Sequence, residues 1–184
     1  IRDSLYMDEL PAWDGRDRLT ALALRVSCRP LWVQGFHTWM LGLASQWMDQ
    51  SVLHANSVAP ILVSREQGRR KSTFCRSLMP DVLMRYYTDN LKLTSQGQAE
   101  RLLAEMGLLN MDEFDKYAEN KMPLLKNLMQ MSALNIRKAY QQNFRQLPRV
   151  ASFIGTSNRF DLLTDPTGSR RFPVSYTHLT LPTN

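Results

Sequence analysis

The stretch that decides the fold is Val58-Ala-Pro-Ile-Leu-Val63, followed directly by Ser64-Arg-Glu-Gln-Gly-Arg-Arg-Lys-Ser-Thr73. The first six residues are apolar and include β-branched side chains, which predicts a short buried strand. The polar loop that follows leads into a helix, predicted at 71–78 and ended by Pro80. A strand, a polar loop and a helix in this order can present backbone N–H groups to a phosphate.

The polar loop carries two of the side chains that a phosphate-binding loop needs. Lys71 stands where the motif requires a lysine for the β- and γ-phosphates, and Ser72 supplies the hydroxyl for Mg²⁺. Arg65 and Arg70 replace the two glycines of G-x-x-x-x-G-K-[ST], so that only Gly68 gives the turn its freedom. Taken alone, the stretch is equally well interpreted as a basic surface loop. The candidate nucleotide-binding residues are Gln67, Gly68, Arg69, Arg70, Lys71, Ser72 and Thr73.

Elsewhere the chain alternates between predicted helices and predicted strands, which is typical of an α/β domain with a mainly parallel sheet. The longest predicted helix, 31–50, has aromatic residues at steps of three and four. Such a stripe more often marks a core than a base-stacking surface. The other predicted helices are 18–26, 96–106 and 119–131, and the other predicted strands are 91–94, 107–111 and 149–155.

Polar residues follow the predicted strands where a P-loop enzyme needs them. Asp112 can position Mg²⁺, and Glu113 is a candidate base for the attacking water. Acids are also common at a helix N-terminus, which is the plainer interpretation. Asn158, after a later strand, is placed to hold that water. Arg170 and Arg171 offer guanidinium groups for the charge on a transferred phosphoryl group, or they form a salt-bridged loop.

Composition and charge narrow the class of protein. The 184 residues carry a net charge of +6, and residues 126–173 hold the whole excess, with eight basic and two acidic side chains. Such a basic stripe can bind the phosphate of a nucleotide or of a nucleic acid, or simply form a solvated face. Two cysteines are too few for a disulfide framework and indicate a reducing, cytoplasmic setting. No apolar run approaches the ~18 residues of a membrane span, and no secretory signal is evident.

With these motifs the chain resembles the P-loop domain of the virulence-associated protein E family, which phages and integrated mobile elements carry. That family is related to superfamily 3 helicases. The resemblance spans residues 5–173 and covers five motifs. They are Leu10-Pro-Ala-Trp-Asp-Gly-Arg-Asp-Arg18, Gln67-Gly-Arg-Arg-Lys-Ser-Thr-Phe74, Asn110-Met-Asp-Glu-Phe-Asp115, Phe153-Ile-Gly-Thr-Ser-Asn158 and Thr164-Asp-Pro-Thr-Gly-Ser-Arg-Arg-Phe172.

The resemblance implies a hexameric, ATP-driven motor that uses Mg²⁺ and is often attached to a primase. The metal ligands implied are Ser72 and Asp112. By the same resemblance, Lys71 and Ser72 belong to Walker A, and Asp112 and Glu113 belong to Walker B. Asn158 corresponds to sensor 1. Arg170 or Arg171 corresponds to an arginine finger that reaches a neighbouring subunit.

A DNA contact is implied by the same resemblance. In superfamily 3 helicases, the stretch between Walker B and sensor 1 includes a hairpin that grips DNA in the pore of the ring. Here that stretch contains Asn135-Ile-Arg-Lys-Ala-Tyr140, inside the basic segment. Cations beside an aromatic suit a single-stranded backbone and its bases. Arg137 and Lys138 are therefore the candidate DNA-binding residues, with coverage of a helix surface as the equal alternative.

The chain divides into an N-terminal helical segment (1–52), a P-loop ATPase core (53–173) and a tail (174–184). The tail resembles the translation of an adapter used in DNA sequencing libraries, so we expect the natural protein to be cut at about Pro173 and the core to be truncated at its C-terminus. An ordinary Thr-rich terminal strand is the less favoured interpretation. His178 is therefore left out of every candidate site.

The sequence thus predicts an α/β P-loop ATPase, helicase-like and DNA-dependent, from a phage or mobile-element replication protein. ATP and Mg²⁺ are the expected cofactors, and single-stranded DNA and further copies of the chain are the expected partners. The rival is a non-catalytic nucleotide- or DNA-binding module, because the missing glycines could prevent the backbone from wrapping the phosphates. A small-molecule kinase fits less well, since no lid or acceptor pocket is evident.

Overall fold

The computed structural model describes residues 1, 12–48, 55–93, 96–117, 119–137, 144–159 and 172–176. Within these ranges, no helix has the length and apolar character needed to cross a bilayer. The helices are α1 (Arg18–Leu24), α2 (Pro30–Trp47), α3 (Lys71–Ser77), α4 (Gln96–Glu105) and α5 (Met122–Gln130). The strands are β1 (Ile61–Val63), β2 (Tyr87–Thr88), β3 (Leu108–Met111), β4 (Ala133–Arg137), β5 (Phe144–Pro148), β6 (Ser152–Ser157) and β7 (Val174–Tyr176). Short 3₁₀ turns span Asp81–Tyr86, Phe114–Lys116 and Glu119–Lys121.

A parallel sheet with the strand order β2-β3-β6-β1-β7 forms the centre of the described chain. Every neighbouring pair of strands in it is parallel, which confirms the predicted α/β class with a mainly parallel sheet. β1, β3 and β6 are buried along their whole length, as expected of parallel strands that are covered on both faces. Their carboxyl ends meet at one edge, so the residues that follow them lie close together.

The sheet separates two apolar clusters. One combines the inner faces of α1, α2 and α3 with Leu62 of β1, and the other combines α4, α5 and β4 with Ile61 and Val63. The aromatic stripe of α2 lies in the first cluster, where the ring of Phe36 lies 6.2 Å from that of Phe74 in α3. The stripe is therefore core, as its helical spacing predicts.

Buried polar side chains tie α2 to the start of β6. Gln46 is only 3% exposed, and its Nε2 donates to the carbonyl oxygens of Arg149 at 3.2 Å and Ala151 at 3.1 Å. Its Oε1 accepts from the backbone N of Asn56 at 2.7 Å. The Asn56 amide in turn donates to Ser152 Oγ at 3.1 Å. The helical segment before β1 thus shares both its apolar and its polar contacts with the sheet.

Arg149 belongs to the basic stripe of the sequence, yet it is only 2% exposed. Its guanidinium donates to backbone carbonyls, among them Ala151 at 2.8 Å, Asn56 at 2.7 Å and Met129 near the end of α5. Burial lowers the pKa of Arg149 to about 9, and the partial negative charge of the carbonyls at the end of α5 offsets the cost of the buried cation. The side chain of Arg149 therefore connects the end of α5, the start of β6 and the segment before β1, and it is too buried to bind a phosphate.

Residues 172–176 bring the chain back to the sheet. Phe172 is buried, with its ring 5.2 Å from that of Phe114, and the carbonyl of Pro173 accepts from Ile61 N at 3.0 Å. Residues 174–176 then pair with β1 as the edge strand β7. The first three residues of the predicted tail therefore continue the sheet, and its other residues lie outside the described part of the chain.

The structure differs from three of the predicted elements. The strand predicted at 91–94 is wrong for residues 91–93, because Leu91 and Leu93 are buried in the core without a strand partner, and the edge strand is β2 instead. The last central strand begins later than predicted and extends to Ser157. The helix predicted at 119–131 begins with a 3₁₀ turn. The hairpin of β4 and β5 is antiparallel and lies where the resemblance implied one.

We expect Gln46→Leu to lower the free energy of unfolding by about 1–3 kcal/mol, because the backbone groups that Gln46 pairs would be left buried and unsatisfied. Gln34→Leu is the matched control, since Gln34 lies exposed on the same helix. Urea denaturation followed by circular dichroism measures both. Equal midpoints and slopes for the two variants would contradict this role of Gln46.

Candidate functional site

A cavity of about 370 Å³ opens at the edge of the sheet where β1, β3 and β6 end. It brings together residues from the β1–α3 loop, from the start of α3, and from the ends of β3 and β6. Residues as far as 87 positions apart in the sequence meet here through direct hydrogen bonds. The lining residues are Gln67, Gly68, Arg69, Arg70, Lys71, Ser72, Thr73, Asp112, Glu113, Thr156 and Asn158.

Two residues of the loop before α3 have a positive backbone φ. Gly68 has a φ of 78° and Arg70 a φ of 52°. Glycine adopts this conformation without steric cost, whereas a residue with a Cβ is disfavoured there by roughly 1–2 kcal/mol. Arg70 nevertheless takes it directly before Lys71, so the chain turns into α3 without a glycine at that position. Arg69 forms an ion pair with Glu66 across the loop.

Lys71 lies at the base of the cavity and is only 8% exposed. Its Nζ donates to Asn158 Oδ1 at 2.8 Å and to the carbonyl of Ser64 at 3.4 Å. Burial lowers the pKa of Lys71, and the negative charges of Asp112 and Asp115 oppose that shift without cancelling it. The ammonium group is thus held between the end of β1 and the end of β6 by its hydrogen bonds to Ser64 and Asn158.

A second group of hydrogen bonds centres on Asp112. Its Oδ1 accepts from Ser72 Oγ at 2.8 Å and from Thr156 Oγ1 at 2.5 Å. Thr156 Oγ1 also accepts from the backbone N of Glu113 at 3.3 Å. Thr156 therefore contacts both acidic residues, although no motif in the sequence assigns it a role. The signal that could have found it is its position two residues before Asn158, because side chains that alternate along a strand return to the same side every second residue.

Ser72 and Asp112 fit a magnesium ion. Mg²⁺ prefers hard oxygen ligands and is usually held by one or two carboxylates together with water and substrate phosphates. Both side chains present such oxygens to the cavity. Among the described residues, no cluster of three or more His, Cys, Asp or Glu side chains forms a closed metal cage. The site therefore suits a metal that a phosphate ligand helps to hold.

Glu113 follows Asp112 in a strained conformation. Its φ of 52° lies in the left-handed region, which non-glycine residues rarely adopt and which is frequent at functional sites. Its carboxylate pairs with Lys116 Nζ at 2.5 Å, and both side chains are at least half exposed. Glu113 lines the cavity, and its carboxylate is paired with Lys116.

The remaining predicted residues fall into three groups. Gln67, Gly68, Arg69, Arg70 and Thr73 line the cavity, as the loop motif predicts. Arg170, Arg171 and Lys138 lie outside the described residues. Arg137 ends β4 opposite Phe144, and the structure describes its backbone only.

Comparison with known proteins agrees with these motifs. The virulence-associated protein E-like domain family matches residues 7–181 of the chain. The chain belongs to this family. The match confirms the resemblance drawn from the sequence. No curated protein matches the chain.

Two solved structures of the NrS-1 C-terminal region share the fold. The apo structure has a TM-score of 0.65 and 17% identity, covering 94% of this chain and 41% of that one. The A form of the apo structure has a TM-score of 0.62 and 18% identity, covering 92% of this chain and 40% of that one. The chain therefore spans about two fifths of the length of the structures that it matches.

We expect Thr156→Val to weaken divalent-cation binding at Ser72 and Asp112 by about 10–100-fold, because the hydroxyl that orients Asp112 is lost. Thr156→Ser keeps that hydroxyl and should bind as the wild type does. A titration of Mn²⁺ in the presence of ADP, followed by the electron paramagnetic resonance signal of the free ion, measures the affinity. Equal Mn²⁺ affinities of the Val and Ser variants would show that the Thr156 hydroxyl does not contribute to metal binding.

Proposed function

We propose that the chain is a P-loop ATPase domain, helicase-like and coupled to DNA, of a phage or mobile-element replication protein. The observation that carries the proposal is the meeting of Lys71, Ser72, Asp112 and Asn158 around one cavity at the carboxyl edge of a parallel sheet. A lysine, a hydroxyl and an acid in this arrangement are the parts that P-loop enzymes use on a nucleoside triphosphate. Membership of the virulence-associated protein E-like family supports the same assignment.

In this proposal each side chain has a separate task. Lys71 exchanges its contact with Asn158 for the γ-phosphate, and Ser72 and Asp112 hold Mg²⁺. Held there by Ser72 and Asp112, Mg²⁺ would supply positive charge that neutralises the charge developing on the transferred phosphoryl group. Glu113 leaves its ion pair with Lys116 to take a proton from the attacking water, and Asn158 orients that water.

The partners belong to the same proposal. Arg170 or Arg171 reaches the site of a neighbouring subunit in a hexameric ring and stabilises charge on the transferred phosphoryl group. Arg137, the last residue of β4, and Lys138, the next residue in the sequence, bind single-stranded DNA. A primase domain attached to this ATPase domain would complete the replication protein.

A non-catalytic nucleotide- or DNA-binding module is the second candidate. The observation that favours it is the loop itself, where Arg65 and Arg70 replace the glycines and Arg70 takes a left-handed conformation at some energetic cost. Such a loop could bind phosphate without reaching the geometry of turnover. This candidate predicts nucleotide binding without hydrolysis, with or without DNA.

We expect Lys71→Ala to abolish ATP hydrolysis by the full chain, because the charge that neutralises the γ-phosphate is lost. Glu113→Gln should keep ATP binding and lose the turnover stimulated by single-stranded DNA, since the amide cannot accept the proton. Release of inorganic phosphate, with and without single-stranded DNA, measures both. Lys92→Ala is the control, because Lys92 is exposed and does not line the cavity.

The results separate the two candidates. Wild-type turnover that both site variants lose, and that Lys92→Ala keeps, supports the ATPase. ATP hydrolysis by Lys71→Ala at the wild-type rate refutes the assignment of this cavity as the ATPase site. ATP binding by the wild type without turnover favours the non-catalytic module.

We expect Arg137→Ala with Lys138→Ala to flatten the salt dependence of single-stranded DNA binding. Loss of two phosphate contacts should reduce the slope of log K against log salt concentration by about 1.4. Fluorescence anisotropy of a labelled oligonucleotide at several salt concentrations gives the slope. Arg25→Ala with Lys92→Ala removes the same charge from exposed positions outside the hairpin. If both double variants keep the wild-type slope, the hairpin cations do not contact DNA.

A further inference from the structure

Asp115 has no role assigned by the sequence motifs, although it is hydrogen-bonded to Ser157 and Asn158 at the end of β6. It lies in the 3₁₀ turn Phe114–Lys116, directly after Glu113. Its Oδ1 accepts from Ser157 Oγ at 2.7 Å and from the backbone N of Asn158 at 3.4 Å. An acid in the first turn of a helix usually needs no explanation beyond the helix dipole. These donors, however, are 42 and 43 residues farther along the chain, so the carboxylate links two separate strand ends.

The bonds of Asp115 hold the turn on which Asn158 stands. Ser157 Oγ donates to Asp115 and also accepts from the backbone N of Arg159 at 3.0 Å, which closes the turn around Asn158. The side chain of Asn158 then accepts from Lys71 Nζ at 2.8 Å. A continuous path of hydrogen bonds therefore runs from Asp115 through Asn158 to Lys71.

Asp115 is suited to this task electrostatically. Partial burial acts against its charged form, but the hydrogen bond from Ser157 and those from the backbone, helped by the charge of Arg159, outweigh it and lower the pKa of Asp115. The carboxylate is therefore ionised at neutral pH, and hydrogen bonds to an ionised acceptor are stronger than neutral ones. Its charge also raises the pKa of Lys71 against the effect of burial.

We infer that Asp115 is a positioning residue that sets the place of Asn158 relative to Lys71. The inference rests on the proposed ATPase function, in which Asn158 orients the attacking water. Asp115 is not among the residues that line the cavity, so it acts on turnover and leaves nucleotide binding unchanged. Misplacing a reacting group by 1 Å is enough to reduce a rate by about 10²-fold.

The test compares three variants of the full chain. Asp115→Ala removes the oxygen that accepts both hydrogen bonds and should lower kcat for ATP by about 10²-fold, while the Kd for ADP with Mg²⁺ stays unchanged. Asp115→Asn keeps an oxygen that can accept both bonds and should recover most of the lost kcat. Asp81→Ala is the matched control, because Asp81 is an exposed acid in the first turn of another 3₁₀ helix. It should hydrolyse ATP as the wild type does.

Two outcomes overturn the inference. Asp115→Ala with wild-type kcat shows that Asn158 does not depend on the carboxylate. Parallel losses of kcat, of ADP affinity and of melting temperature in both Asp115 variants show a merely structural role. A loss of kcat alone, recovered by Asp115→Asn, supports the inference.

A measurement without turnover separates this inference from the proposed function. If the wild type fails to hydrolyse ATP, the ATPase proposal falls, and the backbone amide resonance of Asn158 in a ¹⁵N-labelled chain then decides the positioning. A shift of that resonance in Asp115→Ala, and a smaller one in Asp115→Asn, supports the link between Asp115 and Asn158. An unchanged resonance in both variants overturns it.

Discussion

Pairing of β6 with both β1 and β3 is the constraint on which the candidate site depends. Gly155 stands level with Ile61 on one side and with Met111 on the other. A Cβ at Gly155 would come within 2.7 Å of Ile61 Cδ1 and 3.2 Å of the Met111 carbonyl oxygen, so this close approach favours glycine. Asp112 and Thr156 directly follow this pair, and Thr156 Oγ1 donates to Asp112 Oδ1 at 2.5 Å. The strand register thus helps to bring the hydroxyl and the carboxylate together.

The sequence was most informative about the candidate site where its residues are neighbours in the chain. Lys71 and Ser72 are adjacent in the chain, and their residue types in that order point to phosphate and metal without knowledge of the fold. Asp112 and Asn158 were predictable as well, because each follows a buried strand, and parallel strands end at one edge. The structure brings these four residues to one cavity. The stripe of α2 was assigned to the core by its period alone.

The remaining features depend on partners that a sequence pattern does not reveal. Thr156 gains its importance from the strand beside it, and Asp115 from a turn 42 residues away. Leu91 and Leu93 alternate as strand residues do, but alternation reports burial and says nothing about a neighbouring strand to bond with. From the sequence, Arg149 was grouped with the other cations of the basic stripe, because a sequence pattern does not show which backbone carbonyls surround a side chain. In each case the missing information is a contact between distant segments.

The compensation of Arg149 by carbonyl dipoles has a consequence for how the protein responds to ionic strength. Dissolved ions screen charges at the surface, whereas a buried charge is screened far less. The exposed pairs Glu66–Arg69 and Glu113–Lys116 lie beside the cavity, and Arg149 lies within the frame that carries it. Rising salt therefore weakens these two ion pairs beside the cavity first and leaves the buried contacts of Arg149 with α5, the start of β6 and the chain before β1 in place.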